Sequence, residues 1–171
     1  KTVGGEPVDE HSIYEIGSIS KTFTATLLAD NIVKGKMKVD DPISKYLPAS
    51  VKVPTYKGGG PPITLGHLSD HTSSMLRMPT NMPESDPTDP AADYTPELMY
   101  AFLSSYELPR EVGSEYEYSN FAVGVLGQIQ ALAAGTSYEE ALTSVITSPL
   151  KMKETAITLS PKMKENLAVG H

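Results

Sequence analysis

The 171-residue sequence lacks cysteine and tryptophan, and it has no long apolar run. The absence of cysteine excludes disulfides, thiolate zinc sites and a cysteine nucleophile. Because no stretch of about 18 apolar residues occurs, the sequence predicts no transmembrane helix. Basic residues are in the minority, with 14 Lys and Arg against 21 Asp and Glu, for a formal net charge of −7. Nucleic acids and anionic membranes are bound through basic patches, so we expect neither as the main partner.

The remaining pattern predicts one mainly helical domain. Apolar residues recur at three- and four-residue spacing after Gly17 and again over about 120–134, with Gly135 expected as the end of the second helix. Shorter helices are predicted behind the capping residues Thr64, Thr95, Ser137 and Ser160. The opening segment 1–16 favours hairpin or edge-strand structure. The proline-rich segment 72–94 predicts a long irregular loop of the kind that often carries function.

The first candidate site is Ser18-Ile19-Ser20-Lys21, a Ser-x-x-Lys pattern. Residues three apart on a helix share a face, so the Lys21 amine can meet the Ser18 hydroxyl. A desolvated, neutral amine can take the serine proton, after which the serine attacks a carbonyl and forms an acyl-enzyme. The pattern is common, and Ser148-Pro149-Leu150-Lys151 repeats it. On its own it favours Ser18 as a helix N-cap and Lys21 as a solvated lysine.

The second candidate site is Tyr118-Ser119-Asn120, directly before the helix expected over 120–134. A tyrosine at such a junction can place its hydroxyl in a cleft. A nearby cation lowers the pKa of a phenol, which can then act as a base. Asn120 can donate to a substrate carbonyl. Taken alone, the motif is explained better by a packed tyrosine and by Asn120 as an N-cap.

A metal site is a further hypothesis, because His67 and His71 stand four residues apart with Asp70 between them. Two histidines at that spacing can hold zinc on one face of a helix. The acid is in the fourth position of this motif, however, and not in the second as in His-Glu-x-x-His. We therefore regard the metal site as a weaker hypothesis than the catalytic sites at Ser18 and Tyr118.

Five segments, in order along the chain, resemble class C β-lactamases and their relatives, the D-Ala-D-Ala peptidases and family VIII carboxylesterases. The similar segments are 14–25 with the Ser-x-x-Lys motif, 35–43, 63–74 with a His-Thr-Ser-Gly-like turn, 113–120 with Tyr-Ser-Asn, and 149–155 with a Pro-Leu-Gly-Met-like piece. Because these segments span nearly the whole chain in the family's order, the resemblance is specific.

The resemblance implies an α+β fold of the serine β-lactamase/transpeptidase type, of which this chain holds mostly the helical domain and a few N-terminal strands. Residues 1–17 would be a strand remnant of the α/β sheet domain, and residues 18–171 the nucleophile helix and the all-helical domain. By the same resemblance, Ser18 is the acylated nucleophile and Lys21 assists its deprotonation. Tyr118 is the base or proton shuttle, and Asn120 binds the substrate amide. The Ser18 backbone N–H is expected to form half of an oxyanion hole.

Two features depart from the family pattern. Ser74 stands where the family's turn has glycine, and a positive φ there would strain the serine. The family's third motif, Lys-Thr-Gly or His-x-Gly on a sheet strand, does not occur at its place in this sequence. That strand would give the second oxyanion N–H, and losing one such donor costs about 100- to 1000-fold in rate. We therefore expect the isolated chain to be weakly active or inactive unless a second polypeptide or a missing C-terminal part completes the sheet.

The expected activity is that of a serine hydrolase acting on β-lactams or related amides and esters, as a β-lactamase or a D-Ala-D-Ala peptidase. Two alternatives stay open: a carboxylesterase of the same superfamily, and a non-catalytic truncated relative that acts as a binding module. The expected partner is a small-molecule substrate, and no metal or organic cofactor is implied. The relatives imply a periplasmic or secreted location. Residues 1–10 are polar and do not form the apolar core of a signal peptide.

Overall fold

The computed structural model describes residues 7–83, 89 and 91–168 of the chain. Its helices are α1 (Ser20–Val33), α2 (Leu65–Ser69), α3 (Pro96–Ser105), α4 (Asn120–Ala134), α5 (Tyr138–Leu142) and α6 (Pro161–Glu165). Short 3₁₀ turns cover Gly17–Ile19 and Ile43–Lys45, and a π-helical turn over Thr143–Thr147 follows α5. None of the described helices is long and apolar enough to cross a membrane.

Four of the predicted N-caps are confirmed. Thr64, Thr95, Ser137 and Ser160 each accept a hydrogen bond from the backbone N–H three residues on, as an N-cap does. The helix expected over 120–134 has those bounds, and it ends at Gly135 with a left-handed φ of 66°. The local sequence therefore determines where these helices begin and end.

Strand structure is sparse in the part of the chain that the structure describes. It consists of isolated bridges, which pair Ile13 with Leu167, Pro42 with Thr64 and Tyr56 with Leu108. Of the strands expected in 1–17, the described residues contain only the bridge at Ile13, while 1–6 lie outside the described residues. The Ile13 N–H donates to the carbonyl of Asn166 at 2.9 Å, which joins the start of the domain to the segment after α6.

Helix α4 lies at the centre of the core. One buried cluster joins its apolar residues to those of α2, α3 and the loops between them. A second, smaller cluster joins Leu27 of α1 to Ala141, Leu142 and Ile146. Polar contacts also tie α1 to its neighbours, because the Asn31 amide donates to the Gln130 side chain at 2.7 Å. The N-termini of α1 and α4 are thus held side by side by packing along the length of both helices.

Candidate active site

Ser18 lies in the 3₁₀ turn that leads into α1, and Lys21 lies in the first turn of the helix. Gly17 has a φ of 51°, a left-handed value that a glycine adopts without strain. The N-cap position of α1 is Ile19, and no side chain caps it. The expectation of Ser18 as an N-cap is therefore wrong, because a tighter turn precedes the helix. The exposed Ser18 hydroxyl makes no capping bond and is available for chemistry.

At the start of α4, the N-cap is Ser119 and not Asn120. The buried Ser119 hydroxyl accepts from the Ala122 N–H at 2.9 Å and donates to the Leu76 carbonyl at 2.6 Å. Asn120 is the first helical residue, so its side chain is not used for capping and can turn toward α1.

The predicted site residues lie together. The hydroxyl oxygens of Ser18 and Tyr118 are 2.6 Å apart, although 100 residues separate them in sequence. The Lys21 Nζ donates to Ser18 Oγ at 3.2 Å and to the Asn120 side-chain oxygen at 2.7 Å. Either hydroxyl can be the donor in the contact between Ser18 and Tyr118, and the serine donates when Tyr118 is ionised. The four residues form one connected hydrogen-bond network at the meeting of the two helix N-termini.

The surrounding charges favour the ionised form of Tyr118. The hydrogen bond from Lys21 is the main cause that holds the pKa of Tyr118 below its ordinary value of 10, and the Ser18 hydroxyl adds to it. The Arg77 guanidinium lies 5.1 Å from the Tyr118 ring centre and lowers the pKa further, while Lys21 Nζ lies 5.0 Å from the same centre. The site therefore contains a phenol that loses its proton more readily than a free tyrosine does.

Sequence reasoning missed two neighbours of this network, Arg77 and Met78. Besides its side-chain contact with Tyr118, Arg77 accepts the backbone N–H of Asn120 at 2.9 Å through its carbonyl. The Met78 sulfur accepts from the Asn120 amide at 3.4 Å. Both residues belong to the irregular segment after the turn at 71–74. No local sequence pattern predicts these contacts, because they depend on where α4 lies in the folded chain.

The turn over 71–74 is hydrogen-bonded to the segment that precedes Tyr118. His71 has a φ of 65° and Ser74 a φ of 60°, so Ser74 has the positive φ that strains a serine at this position of the turn. The Ser74 hydroxyl donates to the carbonyl of Glu111 at 3.1 Å, and the Gly113 N–H donates to the carbonyl of Thr72 at 2.9 Å. These bonds join the turn to the segment that leads into Tyr118.

The helical histidine pair proposed for zinc does not form. Helix α2 ends at Ser69, so His67 and His71 do not share a helical face. The Nδ1 atom of His67 accepts from the Thr64 N–H at 3.2 Å, whereas the Nδ1 atom of His71 accepts from the Ser119 N–H, also at 3.2 Å. Within the described part of the chain, no group of three or more His, Asp or Glu side chains could hold a metal ion. The premise of the metal hypothesis, two histidines on one face of a helix, is therefore wrong.

The second Ser-x-x-Lys pattern is also not a site of the same kind. Ser148 ends the π-helical turn, and Lys151 has a left-handed φ of 58°. The two residues do not lie on one helical face. Of the two copies of the pattern, the one at Ser18 and Lys21 faces Tyr118 and Asn120, which lie just before and at the start of α4.

A cavity of about 530 Å³ opens beside Lys21 and Asn120. It lies between α1, α4 and α5, and its walls are mainly apolar, with Met99, Val123 and Tyr138 among them. An apolar cavity with a few polar groups at one end is the usual form of a small-molecule site.

Comparison with known proteins gives a consistent result. A model of the family described as beta-lactamase matches residues 1–171. The D-alanyl-D-alanine-carboxypeptidase/endopeptidase AmpH of Escherichia coli strain K12 is 36% identical over 160 residues, covering 93% of this chain and 40% of that protein. A beta-lactamase of the same strain is 31% identical over 97% of this chain. The chain spans about 40% of the length of these curated relatives.

Solved structures agree with this result. The beta-lactamase/D-alanine carboxypeptidase from Yersinia pestis, complexed with citrate, superposes with a TM-score of 0.89 at 30% identity, covering 98% of this chain and 47% of that one. A class C beta lactamase from Rhodobacter sphaeroides superposes with a TM-score of 0.78 at 28% identity, covering 99% of this chain and 44% of that one. The predicted fold class, a mostly helical part of the serine β-lactamase fold, is confirmed.

Proposed function

Since the chain belongs to the beta-lactamase family, we propose that it carries the acyl-transfer site of a serine hydrolase that acts on β-lactams or on related amides and esters. The observation that carries the proposal is the 2.6 Å contact between the hydroxyls of Ser18 and Tyr118, with Lys21 donating to Ser18. A serine placed between a base and a cation is the arrangement that nucleophilic catalysis needs.

In the proposed first step, Ser18 Oγ bonds to the carbonyl carbon of the substrate while its proton moves to the Tyr118 oxygen. In this scheme Lys21 stabilises the phenolate through its hydrogen bond to Tyr118, and it orients Ser18 through its hydrogen bond to the serine hydroxyl. When the tetrahedral intermediate collapses, the bond from carbon to the leaving nitrogen or oxygen breaks, and Tyr118 returns the proton to that atom. Water then hydrolyses the Ser18 ester by the same proton path in reverse.

Asn120 and the neighbouring cavity are proposed to bind the acyl portion of the substrate. The Asn120 side-chain oxygen is occupied by Lys21, so its amide group remains the donor that a substrate carbonyl can use. That amide now donates to the Met78 sulfur, a weak acceptor that a carbonyl oxygen replaces easily. The apolar walls beside Asn120 suit an uncharged acyl side chain.

D-Ala-D-Ala peptides are the second substrate class proposed. The supporting observation is the similarity to AmpH, named a D-alanyl-D-alanine-carboxypeptidase/endopeptidase, and to the Yersinia pestis protein, named a beta-lactamase/D-alanine carboxypeptidase. The proposal extends to a periplasmic or secreted location. It also includes the division of the chain at residue 17 into a strand remnant and a helical domain.

The backbone N–H of Ser18 is proposed to be one oxyanion donor. The sequence contains no third motif that could supply the other, so we propose that the 171-residue chain alone turns over slowly, about 100- to 1000-fold below a complete site.

The test is the intact mass of the protein before and after incubation with benzylpenicillin or with an activated ester. We expect an adduct that maps to Ser18, that is lost in Ser18→Ala and that persists in Ser148→Ala, the matched control from the second Ser-x-x-Lys pattern. Labelling by the ester alone favours the carboxylesterase alternative. Absence of any adduct on the folded chain contradicts the acyl-transfer proposal and supports the alternative of a non-catalytic binding module.

A further inference from the structure

His71 contacts Tyr118 and both of its neighbours in sequence. Its carbonyl accepts the N–H of Glu117 at 2.8 Å, and its Nδ1 atom accepts the N–H of Ser119 at 3.2 Å. These two bonds fix the backbone on both sides of Tyr118. The His71 ring also lies against the Tyr118 ring, with 4.5 Å between ring centres and 36° between their planes.

We propose that His71 is a positioning residue, which holds the Tyr118 phenol against Ser18 by fixing the backbone on either side of the tyrosine and one face of its ring. The proposal rests on the proposed function, because it concerns how the base of that reaction is held. His71 touches no reacting atom in this arrangement and acts only through Tyr118.

The backbone of His71 adds a second reason. Its φ of 65° is uncommon for a residue with a β-carbon and costs conformational energy. The hydrogen bond to the Ser119 N–H requires an imidazole directed toward α4, and the left-handed turn provides that direction. An asparagine also tolerates this conformation and carries a side-chain acceptor, whereas alanine tolerates it poorly and has no acceptor.

The hydrogen bond also assigns the protonation state of the ring. Nδ1 accepts, so the neutral ring carries its proton on Nε2. Burial lowers the pKa of His71, and the charge of Lys21 lowers it further, while Asp70 opposes the change. The other titratable groups that face the ring are Tyr116, edge-on at 5.7 Å, and Tyr118. Protonation would put a hydrogen on Nδ1 and break the bond to Ser119.

Nuclear magnetic resonance tests the bond directly. We expect the Nδ1 nitrogen of His71 to be the unprotonated one at pH 8. As the pH falls, the amide signal of Ser119 should shift with the same midpoint as the His71 ring, at a pH below 6.5, and this shift should be absent in His71→Asn. The proposal is overturned if the chemical shift of the Ser119 amide does not change as His71 ionises.

Variants test the consequence for Tyr118. In His71→Ala the phenol loses its support, so we expect its ionisation, followed by tyrosinate absorbance, to move up toward pH 10. Acylation of Ser18 at pH 8 should fall about 30-fold, as expected from losing one hydrogen bond and one ring contact. His71→Asn keeps the hydrogen bond, so the loss should be about threefold. The matched control is His67→Ala, which removes a comparable bond to a backbone N–H but leaves Tyr118 untouched.

The outcomes separate the two proposals. If no reagent acylates the wild-type chain, the proposed function fails, while the resonance and absorbance measurements still decide the role of His71. If His71→Ala does not fold, His71→Asn and the titration of the Ser119 amide decide it. The positioning role is overturned if the His71→Ala variant has the same tyrosinate titration and the same acylation rate as the wild type. It is also overturned if His67→Ala changes these two properties as much as His71→Ala does.

Discussion

Replacing Lys151 with glycine is expected to stabilise the protein. Lys151 has a φ of 58°, and this conformation is fixed by its turn, where its N–H donates to the Ser148 carbonyl and its own carbonyl accepts the Lys153 N–H, both at 3.0 Å. A left-handed conformation costs a residue with a β-carbon about 1–2 kcal/mol. Glycine avoids this cost but loses about 0.5–1 kcal/mol of extra backbone entropy on folding. The net expected gain in the free energy of unfolding is about 0.5–1 kcal/mol.

Urea and thermal unfolding of the wild type, Lys151→Gly and Lys151→Ala measure this gain. A gain of 1 kcal/mol corresponds to a rise in Tm of about 2–4 °C in a chain of this size. Lys151→Ala removes the exposed side chain but keeps the β-carbon, so it should not reproduce the gain. Ser74→Gly should gain less than Lys151→Gly, because it also loses the hydrogen bond to the Glu111 carbonyl. If Lys151→Gly is no more stable than Lys151→Ala, the reasoning from backbone strain is refuted.

Three other predictions concern the ionisation of Tyr118, the N-cap of α4 and the stability of the protein in acid. The lowest-pH tyrosinate transition should disappear in Tyr118→Phe and move upward in Lys21→Met, because Lys21 is the main cause of the lowered pKa of Tyr118; an unmoved transition contradicts this. Ser119→Ala should lower the free energy of unfolding by about 1–2 kcal/mol in urea, because it removes the N-cap of α4; a loss near zero contradicts it. The Tyr46 hydroxyl is the main cause that lowers the pKa of Asp41 from 3.8 to about 2. The free energy of unfolding that this ionised carboxylate contributes is present above pH 3.8 and is lost as the pH falls toward 2. In an Asp41→Asn variant, the free energy of unfolding should therefore fall less steeply over this pH range than in the wild type.

Local chemistry explains why much of the fold could be predicted. An N-cap is decided by one side chain and a backbone N–H three residues away, and so Thr64, Thr95 and Ser137 could be identified from the sequence. Gly135 ends α4 for a similarly local reason, since its left-handed φ suits glycine. The positive φ of Ser74 could not be derived from the local sequence, because the family resemblance indicated only that glycine is usual at this position.

Two of the predictions that were wrong concern helix caps, those at Ser18 and Asn120. Asn120 and Ser119 are both acceptable caps, and Ser119 makes a further hydrogen bond to the Leu76 carbonyl, a tertiary contact that favours it as the cap. Ser18 was displaced from the cap position by the 3₁₀ turn before α1. Arg77 and His71 approach Tyr118 only because the turn and α4 meet in the folded chain. The roles of Ser18, Lys21, Tyr118 and Asn120 stay predictions, although the structure brings the four side chains together.

The 100-residue separation between Ser18 and Tyr118 has a consequence for refolding. Closing a loop of that length costs about 4 kcal/mol of chain entropy, which no short-range turn or isolated helix can offset. Contacts between distant parts of a sequence form late and slowly relative to local helices. Reactivity at Ser18 should therefore lag behind the return of helical signal when the denatured chain is diluted into buffer. A serine-directed reagent added at successive times would report when the long-range topology is complete, which the far-ultraviolet circular dichroism of the helices does not detect.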